Sequence, residues 1–115
     1  MKKSIYEVKL EIDTQEGVAT IGHKELPVLK ESEQAIAIDD DLFTTIYKKS
    51  ITDSATRLDA VKQEKNYLND DKKLFIGYFR SLPDGKRQVS EFAKAYLRSK
   101  VAKYDKVIKA LETEV

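Results

Sequence analysis

The C-terminal third of the chain, residues 83–115, reads PDGKRQVSEFAKAYLRSKVAKYDKVIKALETEV. Pro83 and Gly85 give a turn signal at its start, and neither proline nor glycine follows Gly85. The apolar residues after it are mostly three or four positions apart, which is the spacing of one helical face. They are Val89, Phe92, Ala93, Tyr96, Leu97, Tyr104, Val107, Ile108, Leu111 and Val115. The stretch predicts one long amphipathic helix, of about 40 Å.

The apolar arc of this helix is typical of a face that packs on a core, and we expect most of its residues there. Lys100 lies near the middle of the arc. Its side chain could extend past the core edge, pair with a buried acid, or mark the turn at which the helix projects beyond the domain. The sequence leaves these three interpretations open.

The N-terminal part of the chain has the alternation of strands. Residues 4–12 alternate apolar and charged side chains, which predicts a strand with one buried face. Residues 18–24 read as a returning strand after Gly17, so the pair predicts a β-hairpin. Pro27 is expected to keep residues 25–33 irregular or at a sheet edge, and residues 34–38 predict a short third strand.

The middle of the chain is less regular. Three aspartates precede an apolar pattern and two lysines follow it, which predicts a short helix over residues 40–50. A thin apolar face predicts a second helix over residues 53–68. Residues 73–80 are strongly apolar and fit either a strand or a helix by period, with a slight preference for a strand.

Together these patterns predict an α+β fold in a single domain over residues 1–115. An N-terminal antiparallel sheet, made of a hairpin plus one or two further strands, packs against helices that end in the long C-terminal one. The length allows one modest core.

Charge is unevenly distributed along the chain. Residues 72–110 contain eleven Lys or Arg against three Asp or Glu, whereas residues 1–71 contain ten against fifteen. Such a division indicates a charged partner or attraction between the two parts of the protein. The absence of cysteine and of any long apolar run predicts a soluble, cytoplasmic protein without a membrane span.

Residues with catalytic potential do not form a recognisable motif. His23 is the only histidine, and the four glycines are too scattered for a phosphate-binding loop. Asp39, Asp40 and Asp41 could bind a hard cation, but capping of the following helix explains them more simply. We therefore expect no enzyme activity and no metal or cofactor.

Two binding functions remain. The leading hypothesis is a small non-catalytic protein-binding or regulatory module that acts through its C-terminal helix and charged surface. The alternative is an accessory nucleic-acid-binding protein that contacts phosphates. Tyr78 and Phe79 lie in the basic region and could stack on bases, although their apolar surroundings favour a core role. The basic residues assigned to partner or phosphate binding are Lys72, Lys73, Arg80, Lys86, Arg87, Lys94, Arg98 and Lys109.

Self-association is a further expectation. Ala95, Ser99 and Ala102 form a stripe of small residues beside the apolar arc. Small side chains let a second helix approach closely, so this stripe predicts a homodimer through the C-terminal helix.

Overall fold

A computed structural model describes residues 3–48, 60–65 and 71–114 of the chain. The predicted α+β class is confirmed: an antiparallel sheet packs against one long helix. The strands are β1 (Ser4–Asp13), β2 (Val18–Glu31), β3 (Ala35–Ile38), β4 (Thr45–Tyr47), β5 (Ala60–Lys65) and β6 (Lys72–Phe79), and the helix is α1 (Leu82–Glu114).

The sheet has six strands in the order β4-β3-β2-β1-β6-β5, and every neighbouring pair is antiparallel. It is thus larger than the two to four strands expected. Strand β1 lies near the centre of the sheet, and it contributes buried apolar residues to both faces. Val8, Leu10 and Ile12 face the helix, whereas Ile5 faces the opposite side of the sheet.

Two apolar clusters lie on the two faces of the sheet. The first joins β1 and β6 to α1 through Val8, Leu10, Ile12, Phe75, Phe79, Val89 and Ala93. The second joins β1, β2 and β3 through Ile5, Leu26, Ile36 and Ile38, with Tyr78 of β6 packed against it. Because β3 and β6 are three places apart in the strand order, this shared cluster requires the sheet to curl.

Strand β2 corrects the expectation that Pro27 keeps residues 25–33 irregular or at a sheet edge, because β2 lies between β1 and β3 inside the sheet. The strand continues through Pro27 to Glu31, for 14 residues in all. Pro27 lies where β2 changes partners, because Ser4 pairs with it on one side and pairing with β3 begins at Val28, with a register shift before Lys30. The Pro27 carbonyl accepts a hydrogen bond from the Asp39 amide, and a missing N–H costs nothing at such a change of partners.

The helix predicted over residues 40–50 is wrong for residues 40–47, and in the described part of that range only Lys48 is helical. The Asp40 carboxylate accepts hydrogen bonds from the Thr44 amide (2.9 Å) and hydroxyl (2.7 Å), and this closes a turn instead of capping a helix. These bonds also lower the pKa of Asp40. Phe43 has a positive φ of 48°, which ends any helical run. The β-branched residues that follow form β4; residues 49–50 lie outside the described range.

The helix predicted over residues 53–68 is also wrong where it can be compared. Residues 60–65 form β5, which pairs with the outer edge of β6, and Val61 packs against the first cluster. The available edge of β6 decides this outcome, because a thin apolar face gives a helix little to bury. Residues 53–59 and 66–68 lie outside the described range. The preference for a strand over residues 73–80 is confirmed by β6.

Candidate functional site

Helix α1 begins as a packed element of the domain. Pro83 and Asp84 belong to its first turn, where proline loses no hydrogen bond and an acid complements the helix dipole. Gly85, which the sequence indicated as a turn residue, is buried within this turn against the Phe79 ring. A Cβ at Gly85 would lie 2.6 Å from Phe79 Cδ2, so glycine is what allows the helix to start so close to β6.

The helix then runs back along β6 towards the start of that strand. The Phe75 ring packs edge-on against Phe92 and Tyr96, at centroid separations of 5.7 and 5.5 Å. Val89 and Ala93 are fully or almost fully buried in the same cluster. The first half of the predicted apolar arc is therefore a core face, as expected.

The helix leaves the sheet at Lys100. Its Nζ lies 5.1 Å from the centroid of the Tyr96 ring, a cation–π contact at the edge of the packed region. All residues from 101 to 113 are exposed. Two of the three interpretations of Lys100 agree with these observations. Its side chain covers the edge of the core, and the helix begins to project beyond the sheet at this turn.

Tyr104, Ile108 and Leu111 belong to the arc whose residues were mostly expected in the core, and for these three that expectation is wrong. Val101, Tyr104, Ile108 and Leu111 are 51% to 62% exposed, and so is Val107 at 57%. The cause is length: β6 spans about 26 Å, whereas the 33 residues of α1 span about 50 Å. We call Val101, Tyr104, Ile108 and Leu111 the apolar stripe, and residues 101–113 the projecting segment.

Arg80, one of the predicted phosphate-binding residues, is already bound within the protein. Its guanidinium donates hydrogen bonds to both carboxylate oxygens of Glu31, at 3.2 and 2.8 Å. The Lys48 ammonium donates to the same carboxylate at 3.0 Å and is itself buried. The Arg80 hydrogen bond is the largest cause that lowers the pKa of Glu31 from 4.5 to about 2.

This ionic cluster borders an open cleft of about 740 Å³ that is lined by Lys3, Glu31, Ser32, Glu33, Lys48 and Arg80. Ligand pockets are usually mostly apolar with a few polar groups. Here all six lining residues are polar or charged, and the two central cations, Lys48 and Arg80, both form ion pairs with Glu31. The cluster ties the end of β2 to the start of α1 and has the character of a structural link.

The other predicted basic residues are spread over a long distance. Lys72 and Arg80 lie at opposite ends of β6, about 26 Å apart. On the helix, Arg87 and Lys109 are separated by about 33 Å of axis. Lys73 is half-buried beside Lys72, and Lys86 is half-buried in the second turn of α1. The structure does not bring the eight residues together in one patch.

Part of the set does share one side of the helix. Arg87, Lys94, Arg98 and Lys109 are exposed and fall within an arc of about 60° at 100° per residue. Arg87 lies 3.5 Å from Asp84, and Lys94 lies 3.5 Å from Glu91, so acids lie among them. Such exposed pairs contribute little to stability but reduce the local positive charge.

The two aromatic residues proposed to stack on bases are used elsewhere. Phe79 is fully buried in the first cluster. Tyr78 packs against the second cluster, and its hydroxyl donates a 2.8 Å hydrogen bond to Glu7. The core role favoured for Phe79 is confirmed, and stacking on nucleic-acid bases by this residue would require the core to open.

The small-residue stripe is accessible. Ala95, Ser99 and Ala102 are all exposed and lie on the side of α1 away from the apolar stripe. The sequence identified the small-residue stripe by its spacing, but it predicted a core position for most of the arc residues in the projecting segment. Whether those residues are buried depends on the length of the helix relative to the strand on which it packs. The spacing of residues along one helix does not contain that ratio.

No three His, Cys, Asp or Glu side chains come together as a metal site within residues 3–48, 60–65 and 71–114. His23 lies exposed on β2, beside Glu7 and Lys9 of β1. In that described part of the chain, no helix is both long enough and apolar enough to cross a membrane.

Within α1, the features available to a partner are the projecting segment, the apolar stripe on it and the exposed basic arc beside the stripe; Leu42 and Phe43, before β4, are large apolar residues that are also exposed. The segment, the stripe and the arc all lie on α1. Comparison of the chain with protein-family models, with curated proteins and with solved structures found no match.

Proposed function

We propose that this protein is a small, non-catalytic protein-binding or regulatory module whose projecting segment engages a partner. One observation carries the proposal: four regularly spaced large apolar residues and Val107 lie at least half exposed on a helix that extends past its own sheet. Exposed apolar patches with polar rims are typical of interaction sites. An amphipathic helix that inserts its apolar face into a partner is a common recognition mode.

The rest of the molecule supports this role as a rigid base. Val89, Ala93 and the aromatic contacts of Phe75 fix the first half of α1 on the sheet. The helix is then preformed before binding, which reduces the entropy lost when a partner docks. The non-catalytic part of the proposal rests on the lone histidine and the absence of cysteine, and the latter also favours a reducing, cytoplasmic location.

The test is site-specific photocrosslinking in the cells that produce the protein. A benzophenone amino acid at Tyr104 replaces one exposed aromatic residue with another, and the same amino acid at Gln15, in the exposed β1–β2 turn, is the control. We expect protein adducts, identified by mass spectrometry, from position 104 and not from position 15. The proposal fails if position 104 gives no adduct or the same adducts as position 15.

The alternative function, nucleic-acid binding, is supported by the exposed arc of Arg87, Lys94, Arg98 and Lys109. Against it, Arg80 is bound to Glu31 and two of the arc residues lie beside acids. We therefore rank it below protein binding. Its salt-dependence test is given in the Discussion.

A further inference from the structure

The apolar residues of the projecting segment follow the spacing of a coiled coil. From Leu97 the intervals to Val101, Tyr104, Ile108 and Leu111 are four, three, four and three residues. This alternation averages 3.5 residues and keeps one seam along a helix that winds around another helix. Leu97 is partly buried against the first cluster, so the seam begins where the core face ends.

The seam does not continue towards the start of the helix. The equivalent earlier positions are Lys94, Ser90 and Arg87, which are charged or polar. The seam also points about 80° away from the side of α1 that packs on the sheet, counting 100° per residue. A second helix can therefore dock along the projecting segment without meeting the sheet.

We propose that this segment docks on a second copy of the chain, as an antiparallel two-helix coiled coil. The inference deepens the proposed function by naming its partner, and it rests on the same apolar stripe. Along one flank of the seam lie Arg98, Asp105 and Glu112, all exposed. A two-fold axis near residue 106 places Arg98 of each chain opposite Glu112 of the other, and flanking charge pairs of this kind set helix orientation.

The opposite flank gives a second reason. In the antiparallel arrangement Val107, which is 57% exposed, faces its own copy across the axis and gains an apolar partner. A parallel pair would place Val107 beside Glu112 and leave Arg98 opposite an alanine, Ala93. The antiparallel pair has one unfavourable feature, since Asp105 faces Asp105 of the other copy. Substitution of Asp105 therefore tests the orientation of the two helices directly.

The seam covers about 21 Å of helix, from Leu97 to Leu111, and a contact this short buries less area than a standard interface. We therefore expect a concentration-dependent dimer with a micromolar dissociation constant. Sedimentation equilibrium over micromolar to submillimolar concentrations measures it directly. A wild-type protein that stays monomeric throughout overturns the inference.

Substitutions then locate the interface. Ile108→Asp places a charge in the seam of both copies and should weaken association by about 100-fold or more. Ala102→Asp makes the same charge change on the small-residue stripe and should leave the dissociation constant unchanged. Both residues are exposed, so circular dichroism should show intact folding in each variant. Loss of the dimer with Ala102→Asp and not with Ile108→Asp would overturn the inference and support the small-residue stripe.

Two further experiments decide the orientation of the two helices. Asp105→Asn removes the repulsion of the antiparallel pair and should tighten the dimer about twofold, whereas in a parallel pair it would remove a partner of Lys100 and weaken it. The chain has no cysteine, so Val101→Cys and Leu111→Cys can be mixed and oxidised cleanly. We expect disulfides between residues 101 and 111; disulfides only between identical positions would overturn the antiparallel geometry.

Failure of this inference is distinguishable from failure of the proposed function. A purified monomer whose position 104 still crosslinks to another protein in cells refutes the homodimer and retains the protein-binding role. A monomer without any adduct refutes both.

Discussion

Arg80 and Glu31 are 49 residues apart in sequence and form a two-point ion pair that links the start of α1 to the end of β2. Lys48 binds the same carboxylate from the segment after β4, so three parts of the chain meet at one acid. The sequence alone predicts Arg80 as a phosphate-binding residue. In the folded protein it joins the turn between β6 and α1 to the end of β2.

This cluster predicts a specific loss of stability in acid. Its cations lower the pKa of Glu31 from 4.5 to about 2, so its stabilising contribution is complete above about pH 4.5 and is lost as the pH falls towards 2. We expect Glu31→Gln to lower the free energy of unfolding by about 2 kcal/mol at pH 7. Urea denaturation of both proteins at several pH values should show this difference narrowing below pH 4.5. A difference that stays constant down to pH 2 would contradict the prediction.

Gly85 gives a packing prediction. Alanine is a better helix former than glycine by about 1 kcal/mol, yet its Cβ would lie 2.6 Å from the buried Phe79 ring. We expect Gly85→Ala to destabilise the protein by about 1–3 kcal/mol, because Phe79 cannot move without disturbing the core. Gly22→Ala is the matched control, since no atom lies within 4 Å of its added Cβ. Equal denaturation midpoints for the two variants would show that the first turn of α1 is not packed as described.

The projecting segment should be dispensable for folding. None of residues 101–113 is buried, so a chain that ends at Lys100 loses no core contact. We expect its denaturation midpoint to match that of the full chain when both are measured at submicromolar concentration, well below the expected dissociation constant, so that the dimer has dissociated. At high concentration the full chain should become the more stable of the two, because association stabilises the folded state. A large loss of stability at low concentration would mean that the segment packs on the domain.

The basic arc gives a prediction for the alternative function. If about four of its side chains neutralise phosphates on duplex DNA, the slope of log affinity against log salt should be about −3.6. Charge reversal at Arg87, Lys94 and Arg98 should flatten this slope, whereas reversal at Lys2, Lys3 and Lys9 should not. We would abandon nucleic-acid binding if affinity for duplex, single-stranded and RNA ligands at near-physiological salt were no tighter than millimolar.

The sequence predicted correctly those strands and helices whose hydrophobic pattern matches the face that they bury in the folded protein. The alternation in β1, the apolar run in β6 and the helical spacing of α1 each identify a structure that can bury its apolar face. The segments around residues 40–47 and 60–65 could not be predicted correctly. Their outcome depends on the Asp40–Thr44 hydrogen bonds and on the open edge of β6, and neither is visible in a local pattern.

For the candidate site, too, some features follow from the sequence and others only from the tertiary structure. The sequence by itself determined that one long helix carries a continuous series of apolar residues on one side, because that spacing depends only on helix geometry. Only the tertiary structure decided which of them are buried: strand β6, along which α1 packs, is about half as long as the helix, so contacts end near Lys100 and the remaining apolar residues stay exposed. It also decided that Arg80 belongs to Glu31, since a partner 49 positions away becomes a neighbour only when β2 and β6 enter the same sheet.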